Sequence, residues 1–346
     1  MDRASLRGKV QTVLGLIEPE ALGATLMHEH VLCDIRPPEQ RARNLPDPEI
    51  TLENVWSIMY GAVEHATNRR LDLEDIAISE VKDMAAAGGR SLVELSCGGL
   101  DPNPEGLVRI SIATDINIVM GCGHYVSDYQ DPRNAERSVE DFAEEMVAQV
   151  FEGAWGTDVR AGMIGEIGSQ SPWTDLEKRV LRGALIAQQE TGAALNIHPG
   201  RDPDLPQAIA EFCIAHGGET GRTVISHIDR TIFDETRLLR LADTGIVIEF
   251  DLFGQENAFY KLNPDIDMPN DAQRLKLIRL LIDHGHGNRI VISHDICYRT
   301  RLTRFGGHGY GHIFSNVVPL MRRRGFSEAE IDAILIETPK RLLTIG

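Results

Sequence analysis

Ala24-Thr25-Leu26-Met27-His28-Glu29-His30 is the stretch on which the fold turns. An apolar run of β type ends there in two histidines around a glutamate. An open, doubly wound α/β sheet would follow its first strand with a glycine-rich phosphate loop, and this ending is a poor phosphate cradle. In an extended strand residues i and i+2 face the same side, so His28 and His30 share one space. Imidazoles suit zinc and similar divalent ions.

Outward from that stretch the pattern repeats. The first short apolar run, 24–27, is followed by seven more at 91–95, 116–120, 163–167, 194–197, 223–226, 246–250 and 289–293. Amphipathic segments lie between them. Residues 73–87 stop at Gly88-Gly89, 176–191 stop at Gly192, and 271–284 carry Leu275, Ile278, Leu281 and Ile282 near helical spacing. Strands alternating with helices imply βαβ units and a parallel sheet. Eight of them predict an α/β protein, a single (β/α)8 TIM barrel occupying 1–346 as one domain. A short N-terminal β-hairpin is expected ahead of it, with strands at 10–15 and 22–26 and a turn at Glu18-Pro19-Glu20.

The composition bounds the function. The 346 residues are 42% hydrophobic and 25% charged, which supports a sizeable core and excludes general disorder. Lys and Arg number 35 against 52 Asp and Glu, a net charge of −17, which argues against nucleic acid or an anionic membrane as the main partner. A small-molecule substrate is the expected partner. Cys33, Cys97, Cys122, Cys213 and Cys297 are far apart and form no CxxC pair, so neither a disulfide framework nor a structural zinc cluster is indicated. No apolar stretch follows Arg3, Arg7 and Lys9 as in a signal peptide, and none reaches the roughly 18 residues of a membrane span. A soluble, cytoplasmic protein is expected.

Other strand ends also offer metal ligands. Glu166 sits inside the apolar run Met163-Ile164-Gly165-Glu166-Ile167, where a carboxylate is costly unless paired or bound to a cation. The fifth run ends on His198, the sixth on His227, and the eighth on His294 and Asp295. At the C-terminal ends of barrel strands these side chains meet where active sites of this fold lie. His294 points opposite to Asp295 in an extended strand and is assigned to packing. Four histidines and two carboxylates are what two divalent ions need if one carboxylate bridges them.

On these residues the chain resembles the phosphotriesterase family of the amidohydrolase superfamily, and within it the phosphotriesterase-related proteins. The supporting stretches include Gly8-Lys9-Val10-Gln11-Thr12-Val13-Leu14-Gly15, Ile164-Gly165-Glu166-Ile167-Gly168, Ile197-His198-Pro199-Gly200-Arg201, Ser226-His227-Ile228-Asp229-Arg230-Thr231 and Gly306-Gly307-His308-Gly309-Tyr310. The resemblance implies one metal on His28, His30 and Asp295 and another on His198 and His227, with Glu166 bridging. In the phosphotriesterases proper the bridge is a carboxylated lysine. Two divalent ions, zinc foremost, are the implied cofactors, and a homodimer is expected because members of this fold often pair. The family's proton-relay Asp and His appear here as Arg230 and Leu252, which counts against phosphotriester turnover.

The expected enzyme is a zinc-dependent hydrolase that directs a metal-bridging hydroxide at a small amide, ester or lactone. The resemblance points to N-acyl amino acids or N-acyl-taurines. Asp295 is the expected proton shuttle, with Asp251 and Glu249 in reserve. Tyr125, Arg201 and Arg230 are the expected substrate contacts, the arginines for an anionic group. His124 shares the third strand's end with Tyr125. Arg299, Arg301 and Arg304 form a positive spot that fits either a solvated loop or a substrate role. The alternatives are an organophosphate triester hydrolase and a small-molecule binding protein that keeps the barrel; the latter predicts a missing ligand.

Overall fold

A computed structural model describes residues 1–42, 47–257 and 260–346. Two short strands, β1 (Val10–Thr12) and β2 (Gly15–Ile17), pair antiparallel at the N-terminus. The hairpin is tighter than the sequence reading. Its turn is Val13-Leu14, because Gly15 takes φ +117°, while Pro19–Ala21 form a single 3-10 turn further on.

The barrel strands are β3 (Thr25–Glu29), β6 (Ser91–Glu94), β7 (Asn117–Cys122), β8 (Met163–Ser169), β9 (Ala194–Pro199), β10 (Thr223–Ile225), β11 (Val247–Phe250) and β12 (Ile290–Ile292). The remaining pair, β4 (Cys33–Asp34) and β5 (Arg70–Leu71), is a small antiparallel clip in the excursion after β3. The eight barrel strands form one parallel sheet in sequential order. At the seam between β12 and β3, the Asp295 amide donates to the His28 carbonyl at 3.2 Å. The His28 amide donates to Ser293 Oγ at 3.0 Å. A nearly closed barrel results, wrapped by helices such as Glu74–Ala87, Asp175–Thr191 and Asp271–Asp283.

Alternation along the strands builds two apolar layers. Met27, Val93, Val119, Met163, Val224, Val247 and Val291 fill the barrel's inside, and Val10, Leu22, Leu342 and Leu343 join the same cluster. Leu26, Leu92, Ile118, Ile164, Leu195, Ile225 and Ile248 belong to the layer under the helices. One end is thus packed with hydrocarbon, and the polar strand ends gather at the other. All five cysteines are buried free thiols. Among the described residues no helix is long and apolar enough to cross a membrane.

Candidate metal centre

Two strands carry irregularities that aim the site. The β3–β6 register shifts between Leu26 and Glu29, and the β8–β9 register shifts between Ile164 and Ile167. Such a bulge turns the next side chain to the other face. It brings His28 and His30 inward after Met27, and Glu166 inward although Ile164, two residues earlier, faces the helices. Gly165 is required at the second bulge. Its φ is +127°, and a Cβ there would lie 2.4 Å from the Asn196 carbonyl oxygen.

Glu166 is the hub. Its Oε2 lies 2.9 Å from His198 Nδ1, 3.3 Å from His227 Nε2 and 3.4 Å from His28 Nε2. Its Oε1 faces His30 Nε2 at 3.5 Å. Asp295 completes the ring from β12's end, with Oδ1 3.3 Å from His30 Nε2 and 4.0 Å from His28 Nε2. The structure therefore brings His28, His30, Glu166, His198, His227 and Asp295 around one point. Asp295 has 15% of its side chain exposed against 6% or less for the other five, so it is the most open member of the ring.

The far sides of the imidazoles are held by groups that fix their direction. Asp251 accepts from the His227 amide and from His227 Nδ1 at 2.9 Å, and it lies 3.2 Å from His28 Nδ1. Glu249 is 3.3 Å from the same His28 nitrogen and accepts from Asn196 and Ser226. His30 Nδ1 meets Ser96 Oγ at 3.0 Å, and Ser96 donates on to Glu94. Carboxylates behind metal-binding histidines set the tautomer that leaves the forward nitrogen with its lone pair.

The donor set fits divalent ions. His28 Nε2 is buried, points at Glu166 and has no hydrogen-bond partner. His227 Nε2 and His198 Nδ1 stand 2.8 Å apart, both aimed at the same carboxylate. Burial disfavours charge on His30, yet Asp295 and Glu166 outweigh it and push its pKa up to about 10. Burial and His227 carry His198 down to about 3 against the pull of Glu166, so it stays neutral. Against burial, the carboxylates around them raise His28 and His227 as well as His30, so the site calls for positive charge, and cations held here would supply it.

The family follows from comparison of the chain with known proteins. Residues 8–343 match the family described as the phosphotriesterase family. The chain belongs to the phosphotriesterase family. It is 43% identical to the N-acetyltaurine hydrolase of Bos taurus, covering 99% of both chains. It is 41% identical to a phosphotriesterase-related protein of Nematostella vectensis, over 97% of this chain and 99% of that one. Among solved structures, a resiniferatoxin-binding protein from Rhodobacter sphaeroides aligns with TM-score 0.91 at 36% identity, over 99% of this chain and 97% of that one.

The expected substrate contacts divide. Tyr125, Arg201 and Arg230 line the pocket above the histidines, together with Leu252. The Tyr125 hydroxyl is 3.4 Å from His198 Nε2, and burial holds its phenol well above the ordinary range, so it stays a donor. Arg230 donates to the Pro199 carbonyl, and Arg201 donates to the Tyr260 hydroxyl at 3.1 Å. His124 is turned away onto Glu145 at 2.9 Å. Of the three loop arginines, Arg299 ties down Arg70 and Asp72 and Arg304 is exposed. Arg301 lines the pocket and donates to the Asp295 carbonyl at 2.6 Å. His294 packs away from the pocket, 2.7 Å from Glu29, as its place opposite Asp295 requires.

Sequence reasoning missed Glu94 and Ser96, and it missed Arg69, which lines the pocket from the excursion after β3. It held Asp251 and Glu249 only as reserve proton carriers. Their signal was present, since they continue the inward alternation of Val247 that identified the other strand ends.

Proposed function

We propose that this chain is a metal-dependent hydrolase of a small amide that carries an anionic group, of N-acyl amino-acid or N-acyl-taurine type. Esters and lactones are accessible to the same chemistry. His28, His30 and Asp295 would hold one divalent ion, His198 and His227 the other, with Glu166 between them and zinc as the metal. Such a pair supplies a water deprotonated near neutral pH and a Lewis acid for the scissile carbonyl. The chain's own residues do the rest. Asp295, open to the pocket, takes the proton from the attacking water and delivers it to the departing amine, which leaves only when protonated. The Tyr125 phenol donates to a substrate oxygen.

The observation that carries the anionic part is the set of guanidinium groups. Arg69, Arg201, Arg230 and Arg301 line one pocket of a chain with net charge −17. Among the described residues none of the four forms an ion pair with a carboxylate side chain; Arg201, Arg230 and Arg301 donate to neutral oxygens. Cations left for a ligand fit a carboxylate or sulfonate. The similarity to N-acetyltaurine hydrolases supports an amide of that kind. A neutral phosphotriester carries no anionic group for these arginines, and Leu252 brings hydrocarbon where a relay base is expected. All six ligand positions are filled, which counts against a bare binding protein.

The test is a hydrolysis screen of zinc-loaded protein over N-acyl-taurines, N-acyl amino acids, lactones and phosphotriesters. The anionic amides are expected to have the highest kcat/KM. A preference for phosphotriesters would overturn the reading.

A further inference from the structure

Two cavities open at the polar end of the barrel. The inner one, of about 200 Å³, holds His30, Glu166, His198, His227 and Asp295. The outer one, of about 570 Å³, lies against the helix Val55–Met59 and the chain that follows it. Arg69, Gln255, Tyr260, Leu262, Tyr298 and Arg301 line both, so the two form one space with a waist. Pockets that enclose drug-sized ligands span roughly 300–1,000 Å³. The inner cavity falls below that range and the outer one within it. A substrate confined to the inner cavity would leave the larger volume unused.

The outer wall has its own chemistry. Trp56, Ile58, Met59, Val63 and Leu262 give it an apolar side, and Glu64, Glu256 and Lys261 a charged one. Trp56 is 61% exposed, Val63 45% and Leu262 51%, three large hydrophobic side chains around a single cavity. Exposed apolar surface gathered at a cavity is surface suited to being covered. At the waist Arg201 lies over the Tyr260 ring at 5.6 Å and Arg301 over the Tyr298 ring at 5.0 Å. Two aromatic rings at the waist are thereby each held by an arginine. Arg201 and Arg230 line the inner cavity and not the outer one.

From the apolar side of the outer cavity and the confinement of Arg201 and Arg230 to the inner one, we infer that the outer cavity is a binding site for a medium-length linear acyl chain attached to the scissile carbonyl. The anionic end stays inside at Arg201 and Arg230, and the chain passes between Tyr260 and Tyr298. The inference rests on the amide reading above and extends it from small acyl groups to long ones.

Saturated N-acyl-taurines from acetyl to decanoyl test it with the zinc-loaded protein, and alkanesulfonates of matching length test binding by calorimetry without turnover. In both series the gain is expected to be about threefold to fourfold per added methylene until the cavity is filled. Val63→Trp and Met59→Trp, which fill the cavity, are expected to flatten that dependence. A flat profile in the unmodified protein, with N-acetyltaurine still hydrolysed, overturns the acyl site and leaves the amide reading intact. A chain-length gain that both variants retain overturns it too. If no amide is turned over while the sulfonates show a gain that the variants remove, the cavity assignment stands and the amide reading falls.

Discussion

Asp295 is the residue at which structure and chemistry separate most cleanly. Its φ of +49° places it in the left-handed region, uncommon for a residue other than glycine, at the point where β12 gives way to the pocket. Arg301 grips its carbonyl, so the carboxylate is aimed from both sides. Asp295→Asn keeps a ligating oxygen and loses the ability to carry a proton. Bound zinc is expected to persist while amide turnover falls by about two to four orders of magnitude. The loss should be smallest for nitrophenyl esters, whose leaving group needs no proton. Near-normal amide hydrolysis in fully loaded Asp295→Asn protein would move the shuttle to another group. Asp251 has the opposite profile. It touches His28 and His227, one from each proposed metal set, and does not line the pocket. Asp251→Asn is expected to weaken zinc affinity about 10- to 100-fold in competition with a chelator, the usual effect of losing a carboxylate behind a ligand. Unchanged affinity would make Asp251 a packing residue only.

At the level of elements, the loops after β10 and β11 are pinned by one buried cation. Arg274, on the helix Asp271–Asp283, is fully buried, with Asp229 at 2.7 Å and Asp271 at 3.0 Å. Asp229 also accepts from the Leu252 amide, and Asp271 from the Gly254 amide. Arg274→Met preserves bulk but strands the Asp229 carboxylate. It is expected to cost about 3–5 kcal/mol, read as a lower urea midpoint at unchanged slope. A loss under about 1 kcal/mol would mean that water reaches Asp229 and the network holds little. Elements also mark what the sequence could tell. The eight runs and the histidines at their ends were legible because alternation along a strand sorts residues between two faces. The bulges were not, for a one-residue shift leaves no trace in composition. Strict alternation from Ile164 would have turned Glu166 toward the helices. The hairpin turn was misplaced for a related reason: Glu18-Pro19-Glu20 has turn composition, but Gly15 has the backbone freedom that a two-residue turn uses. Arg69 was invisible because it comes from an excursion rather than a strand end, and only folding brings it over the pocket.

The whole molecule is an apolar barrel whose interior packing leaves one polar end, and that end concentrates buried carboxylates that burial alone would penalise. Glu94, Glu166, Glu249 and Asp251 are all essentially inaccessible, the last three beside histidines and Glu94 linked to His30 through Ser96, and none pairs with a lysine or arginine side chain among the described residues. Divalent ions would offset that charge, so metal content and function should rise and fall together. The most direct measurement is elemental analysis of the purified protein alongside hydrolysis of N-acetyltaurine, through chelation and stepwise return of zinc. Close to two divalent ions per chain are expected, with loss of hydrolysis when they are stripped and recovery complete only when both are restored. Hydrolysis at full rate by protein holding well under one ion per chain would contradict it.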